Sequence, residues 1–360
     1  MQLRVPGPTP CPPQVLKSME KQMVDHRGKE FQELIKSITA KLQTIFQTKN
    51  DVLILTGSGT GAMEAAIVNT LSPGDKILSA SNGVFGNRFA DIAQAFGADV
   101  TRLKFEMGKP VDPDGVRQAL KADPKIKAVL VTHNETSTGV TSDLAAVSAV
   151  IKEFDKIAIV DAISGLSSID LQVDNWKCDV VVSGSQKGWM VPPGLSMISV
   201  SETAWKAHAE AKMPRFYWDF TKAKNFLEKG QTPWTPAVSI FYALSVSLDM
   251  ILAEGLSNVF ARHARVAKVA RDGVKSMGLA LLPPDEKYAS NTVTAVKADG
   301  KLDVSKLRQI LRDEYKVVIA GGQGDLSGKI FRIGHLGWVT EKDMKEVLDA
   351  IKKALPKAGL

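Results

Sequence analysis

Residues 51–81, "DVLILTGSGTGAMEAAIVNTLSPGDKILSAS", decide the class of fold. The run "DVLIL" is apolar and ends in a glycine-rich turn, which reads as a buried strand. "GAMEAAIVNTL" then reads as a helix, "SPGD" as a turn and "KILSA" as a second strand. The rhythm continues with helix "FGNRFADIAQAFG", strand "DVTRLKF", helix "DGVRQALKA", strand "IKAVLVT", helix "SDLAAVSAVIKEF" and strand "KIAIVDA". Alternation at these lengths predicts an α/β fold, a mostly parallel sheet sandwiched by helices, with ligands beyond the carboxyl ends of the strands.

Upstream, Phe31, Leu34, Ile35, Ile38, Leu42, Ile45 and Phe46 recur at helical spacing and predict one long amphipathic helix. Downstream, helices are expected over Thr235 to Ala253 and about Asn258 to Met277. Strands then become sparse and mixed ("LALLPP", "NTVTAVKA", "VVIAGG", "KIFRIG"), with helices near Val304 to Glu314 and Thr340 to Leu355. This change of rhythm predicts a smaller C-terminal α+β domain over 255–360, after a large domain over 15–254 and a Pro-rich segment over 1–14.

The 360 residues are enough for two domains, and 44% hydrophobic with 24% charged is ordinary globular composition. A net charge of +7 would suit anionic partners, but Lys and Arg are interspersed with Asp and Glu, so a solvated surface and no nucleic-acid partner are expected. The aromatic cluster "RFYWDF", Arg215 to Phe220, has no basic stripe beside it and reads as core or interface. Two cysteines, Cys11 and Cys178, exclude a disulfide framework and a cysteine zinc site and fit a reduced, cytoplasmic setting. No apolar run is long enough for a bilayer, and "MQLRVPGPTPCPPQ" breaks with Pro and Gly where a signal peptide needs an apolar core. No membrane and no metal are expected.

Chemistry concentrates at strand ends. "TGSGTGAMEAA" opens a helix with glycines, and the N–H groups there suit a phosphate. Gly57, Gly59 and Ala62 also satisfy the dinucleotide fingerprint, but no acid closes the second strand to hold a ribose, and no Lys follows for a P-loop. A turn without any ligand is the bland alternative. Asp161 follows four apolar residues, where a carboxylate is costly unless a cation or strong donors meet it; a local cap to "AISG" is its bland alternative. Lys187 sits in "SGSQKG" between apolar runs Val180–Val182 and Leu195–Val200. A desolvated lysine there is a Schiff-base nucleophile, and a solvated turn lysine is the alternative. Arg332, inside apolar "KIFRIG", matches a carboxylate bidentately or forms a structural ion pair. A phosphate turn, a strand-end Asp and a strand-end Lys, in that order, are the three contacts that pyridoxal phosphate needs.

With "PGPTPCPP", "NGVFGNR", "THNETSTG", "VDAISG", "SGSQKGWMVPPG", "TPWTP" and "RIGHLG", the chain resembles, over nearly its whole length, the class V aminotransferases of the fold type I pyridoxal phosphate enzymes. Within them it is similar to the alanine/serine–glyoxylate (serine–pyruvate) group. The resemblance implies pyridoxal 5'-phosphate held at its phosphate by Ser58, Gly59, Thr60 and Gln186, stacked on Phe85, packed on its other face by Ile163, bonded by Thr136 at the hydroxyl side and by Asp161 at the ring nitrogen, and joined to Lys187. It implies that Thr235 reaches the phosphate of a neighbouring subunit in a homodimer with shared active sites, that Arg332 grips the substrate α-carboxylate, and that Gly7 in "VPGPTP" lies over the same pocket. At Thr232 the chain departs from the tyrosine of many relatives. The implied activity moves an amino group from a small amino acid, serine or alanine, to a small 2-oxo acid, glyoxylate or pyruvate. The alternatives are a lyase of the cysteine desulfurase type, which needs a mobile cysteine, and a subunit of a larger complex. His133 and His335 are expected to be packed rather than reactive.

Overall fold

Both faces of the strands are apolar, and each face has its own core. Val52, Ile54, Val129, Val131, Ala158, Val160 and Val181 point into one cluster. Their neighbours Leu53, Leu55, Ala128, Leu130, Ile159, Val180 and Val182 point into another. That is the period-two alternation of a strand with helices packed on both sides.

The computed structural model describes all 360 residues. It opens with β1 (Gln2–Arg4), α1 (Pro13–Ser18) and α2 (Lys29–Phe46). The alternating stretch follows as β2 (Asp51–Gly57), α3 (Gly59–Thr70), β3 (Lys76–Ser81), α4 (Val84–Ala95), β4 (Asp99–Lys104), α5 (Pro113–Ala122) and β5 (Ala128–Thr132). A hairpin of β6 (Asn134–Glu135) and β7 (Val140–Thr141) precedes α6 (Leu144–Glu153) and β8 (Ile157–Asp161). Next come β9 (Val180–Gly184), β10 (Gly194–Val200), α7 (Glu202–Glu210), α8 (Phe220–Leu227) and α9 (Val238–Glu254). The chain ends with α10 (Leu256–Ser276), β11 (Val293–Lys297), α11 (Val304–Asp313), β12 (Val317–Gly321), β13 (Ile330–Gly334) and α12 (Glu341–Ala354).

The large sheet has the order β2-β10-β9-β8-β5-β3-β4. All neighbours are parallel except β10, which runs antiparallel to both β2 and β9. The expected mixed α/β architecture is therefore present. The smaller sheet has the order β1-β12-β13-β11, and a third core of 23 buried residues packs it against α10, α11 and α12. Helices α9 and α10 meet at an 87° bend. Gly255 makes the break at φ 82, a conformation that costs glycine little. No single helix is long and apolar enough to cross a membrane.

Several expectations are corrected. The helix expected from Thr235 starts at Val238, after Pro236 and with Ala237 as its uncapped N-terminal residue. "LALLPP" forms only an isolated bridge, Leu281 to Val296. The N-terminal segment is not merely Pro-rich coil, because Gln2, Leu3 and Arg4 pair with Val317, Val318 and Ile319. Three residues carry no legible periodicity, and their partner lies over 300 positions away.

Candidate active site

Nine residues singled out in the sequence line one pocket: Ser58, Gly59, Thr60, Phe85, Thr136, Asp161, Ile163, Gln186 and Lys187, with Ser164 as a tenth. It lies at the carboxyl ends of β2, β8 and β9, where open α/β sheets bind ligands. A larger open cleft of about 930 Å³ lies at the amino ends of β3, β5 and β8, around Asp75, Lys127 and Lys156. Within it Lys127 and Asp75 form an ion pair at 2.5 Å, and the Lys156 amine donates to Pro124 O at 2.7 Å.

Ser58 precedes α3 in extended conformation and its hydroxyl does not cap the helix. The first turn thus offers backbone N–H groups and the positive end of the dipole to an anion. Close packing explains the glycines around it. A Cβ on Gly59 would lie 2.6 Å from Ile163 Cδ1, whereas one on Gly57 or Gly61 would meet the Trp218 ring at 2.7 or 2.8 Å. Trp218 is itself fixed by its Nε1 donating to Glu64 at 2.9 Å. The cluster "RFYWDF" therefore contributes a cover for this turn. Gln186 Oε1 is buried without a partner.

Asp161 is 3% exposed and its carboxylate accepts one hydrogen bond, from Ile163 N at 2.9 Å. Burial, with the Glu135 charge adding to it, pushes this carboxyl up to about 7, against the Ile163 N–H and the positive charges of Lys187 and Arg88. Lys187 follows β9, and its amine donates to Pro6 O at 2.7 Å. Burial pulls the amine down to about 8; Asp161 opposes this, and Arg332 and Arg88 assist it. The half-buried lysine is thus engaged by the strap through Pro6 O and is not a freely solvated turn residue. Gly7, at φ 145, passes so close that a Cβ there would overlap Lys187 Nζ. Thr9 pins the same segment through its Oγ1, which donates to Lys187 O at 2.9 Å.

Arg332 is 5% exposed. Its Nε donates to Gly321 O at 2.9 Å and its Nη1 to Thr136 O at 3.1 Å, so its hydrogen bonds go to carbonyls and not to a carboxylate. Burial lowers the guanidinium to about 10. Thr136 Oγ1 donates to Ser164 Oγ at 2.7 Å. Thr235 is exposed and does not line this pocket within its own chain. His133 packs edge-on to Trp176, with ring centroids 6.1 Å apart. His335 is bonded to Thr294 Oγ1 at 2.8 Å and Asn291 O at 3.2 Å, so both histidines are packed.

Sequence reasoning missed Ser164, the Pro6 carbonyl and Glu135. Glu135 is 0% exposed and accepts from Phe85 N, Gly86 N, Ser137 N and Ser137 Oγ. Its neighbours "THN" and "TSTG" are polar, so nothing in hydropathy marks it as buried; an acid among residues too short to shield it was the only signal.

The family model for class V aminotransferases matches residues 2–323. The chain belongs to the class V aminotransferases. A serine–glyoxylate aminotransferase of Methylorubrum extorquens is 36% identical over 369 residues, 99% of this chain and 92% of that protein. A protein of Anabaena cylindrica named soluble hydrogenase 42 kDa subunit is 43% identical, covering 100% of this chain and 94% of its own. The solved pyridoxamine–pyruvate aminotransferase of Mesorhizobium loti superposes with a TM-score of 0.95 at 32% identity, over 99% of this chain and 92% of that one. As a class V aminotransferase the protein uses pyridoxal 5'-phosphate. The residues present fit that group: an uncapped helix start for a phosphate, an under-bonded buried carboxylate for a cationic ring nitrogen, and a buried amine for a carbonyl carbon.

Proposed function

We propose that this aminotransferase moves an amino group from a small amino acid, serine or alanine, to a small 2-oxo acid, glyoxylate or pyruvate, and that Lys187, Asp161 and Arg332 carry the reaction. The observation behind the proposal is the convergence of a deprotonatable amine and an under-bonded carboxylate in one pocket. The names of the relatives support the substrate class. Bound pyridoxal 5'-phosphate supplies an electron-withdrawing ring and a carbonyl carbon on which the amino group travels.

The chain's own groups do the rest. Lys187 Nζ, lowered to about 8, takes the substrate's Cα proton and gives it back one position further on, so it works as base and then acid. Asp161 keeps a proton on the ring nitrogen. Ser58, Gly59, Thr60 and Gln186 hold the phosphate, Phe85 and Ile163 cover the two ring faces, and Thr136 bonds the hydroxyl side. Arg332 has Nη2 free of protein acceptors for a substrate carboxylate. Gly7 lets the N-terminal strap lie against the reacting groups.

The site is completed by a second copy in a homodimer. Exposed Thr235 adjoins Trp234, which stacks on exposed Phe216 at 5.0 Å and on Tyr217 at 6.0 Å. Arg27 holds this loop, donating to Thr232 O at 2.6 Å and Pro233 O at 3.2 Å. The divisions 1–14, 15–254 and 255–360 are proposed as strap, cofactor domain and substrate-arginine domain, supported by the separate third core. Two free cysteines support a cytoplasmic location.

A cysteine desulfurase reaction is disfavoured. Cys178 is 2% exposed with its thiol pushed up to about 12 by burial, and burial also raises the Cys11 thiol. The name of the Anabaena relative favours, as a second reading, membership of a larger complex, and co-purification from the source cell tests it. The test of the main reading is a panel of serine, alanine and aspartate against glyoxylate and pyruvate. Turnover with serine or alanine is expected, and turnover with aspartate alone would overturn the substrate assignment.

A further inference from the structure

We propose that Glu135 is a positioning residue that sets Phe85 against the cofactor ring and Thr136 against Arg332. The inference rests on the roles of Phe85 and Arg332 given above. A fully buried carboxylate that forms no ion pair is unfavourable unless strong donors replace its water. Glu135 has four such donors, and they come from both sides of the pocket. Oε2 accepts from Phe85 N at 3.1 Å and Gly86 N at 3.0 Å, and Oε1 accepts from Ser137 N at 3.1 Å and Ser137 Oγ at 2.5 Å.

The first pair belongs to the start of α4. Its N-terminal residue, Gly83, provides no side-chain cap, so Glu135 takes that place from another element. Only a glycine permits the approach, since a Cβ on residue 83 would lie 2.5 Å from the Glu135 carboxyl carbon. Phe85 is thereby fixed through its own backbone N–H. The second pair closes the β6 strand end around Thr136, whose carbonyl accepts from Arg332 Nη1 at 3.1 Å. One buried charge therefore ties the stacking residue to the residue that orients the substrate arginine.

A neutral amide does not serve. In Glu135→Gln the NH2 group faces backbone N–H donors on one side or the other, so at least one backbone N–H meets a donor in place of its acceptor, even where the Ser137 hydroxyl turns to accept. The test is a double-mutant cycle on cofactor affinity, read by absorbance titration of the cofactor-free protein with pyridoxal 5'-phosphate. Glu135→Gln should weaken binding roughly ten- to a hundredfold, the scale for hydrogen bonds to a charged group. Phe85→Ala should weaken it too, and the double variant should lose less than the sum of the two single losses, because Glu135 acts in part through Phe85 and in part through Thr136. The circular dichroism of the bound cofactor should also change in Glu135→Gln. Should that variant not fold, Ser137→Ala removes one donor and should give a smaller loss with the same non-additivity.

Losses that add, or a Glu135→Gln protein with wild-type affinity and cofactor dichroism, would overturn the inference while leaving Phe85 in its role. Unchanged affinity in Phe85→Ala would instead overturn the stacking role and the inference with it.

Discussion

At Arg332 the guanidinium uses Nε and Nη1 on two carbonyls, and the nearby Glu135 charge favours its cationic form without an ion pair. A cation held in an apolar strand without an ion-pair partner is a preorganised receptor for an anion. Arg332→Lys keeps the charge and loses the fork, so KM for the amino acid should rise roughly ten- to a hundredfold with a smaller fall in kcat. An unchanged KM with a lowered melting temperature would make the residue purely structural. Asp161 gives a prediction of opposite character. Its folded carboxyl titrates at about 7, well above its unfolded value, so its contribution to the cofactor-free protein is lost as pH rises from about 4 through 7. Asp161→Asn should then make that protein more stable than wild type at pH 8, on the order of 1–4 kcal/mol by urea unfolding, while weakening cofactor binding. Equal stability at pH 8 would mean that the carboxylate is better solvated than its burial implies. Both residues were legible in the sequence because a charge ending or interrupting an apolar run needs a reason. Glu135 was not legible, since its reason is a set of backbone donors from a distant helix.

The phosphate turn is the element on which the reading of the fold turned, and its glycines divide by direction. Gly59 faces Ile163 inside the pocket, and Gly61 faces Trp218 outside it. An added methyl at either position overpacks its contact and should cost the cofactor-free protein about 1–3 kcal/mol. Gly59→Ala alone should weaken cofactor binding, because it pushes Ile163 into the ring's place. Titration of both variants checks this, and equal losses of affinity would contradict the assignment of faces. Elements with sustained periodicity were legible: α2 and the strands β2, β3, β5 and β8 stand where branched apolar runs and turn residues placed them. The orientation of β10 was not, since an apolar strand reads the same in either direction. The start of α9 was misplaced because Thr235–Pro236 resembles a helix start, whereas the helix begins only at Val238, after a tight turn in which Val238 N donates to Pro236 O.

At the scale of the whole molecule, three of the four buried histidines, the most deeply buried ones, dominate the response to acid. Burial lowers His133 and His263 to about 4 and His335 to about 3. His263 is fixed as the neutral ring, its Nδ1 donating to Val259 O at 2.7 Å and its Nε2 accepting from Gly337 N at 3.0 Å. Below about pH 6.5 the unfolded chain binds protons at these rings that the folded chain refuses, so stability should fall by roughly 1.4 kcal/mol per pH unit for each. Asp161 in the cofactor-free protein acts in the opposite sense, and one carboxyl does not offset three rings. Urea unfolding at pH 7 and pH 5 should show a clear loss at pH 5, and equal midpoints would contradict the burial of these rings. The change of rhythm after residue 255 was legible as a second core, but the pairing of β1 with β12 and the tie from Arg332 to Thr136 were not, because contacts across more than a hundred residues leave no local pattern. Three stretches remote in sequence meet in one pocket, and Lys187 is proposed as its reacting amine. Borohydride reduction of the cofactor-loaded protein followed by peptide mapping tests it most directly. The cofactor should be fixed to the peptide that contains Lys187 and to no other, and Lys187→Ala should retain none; recovery on a different lysine would contradict the account.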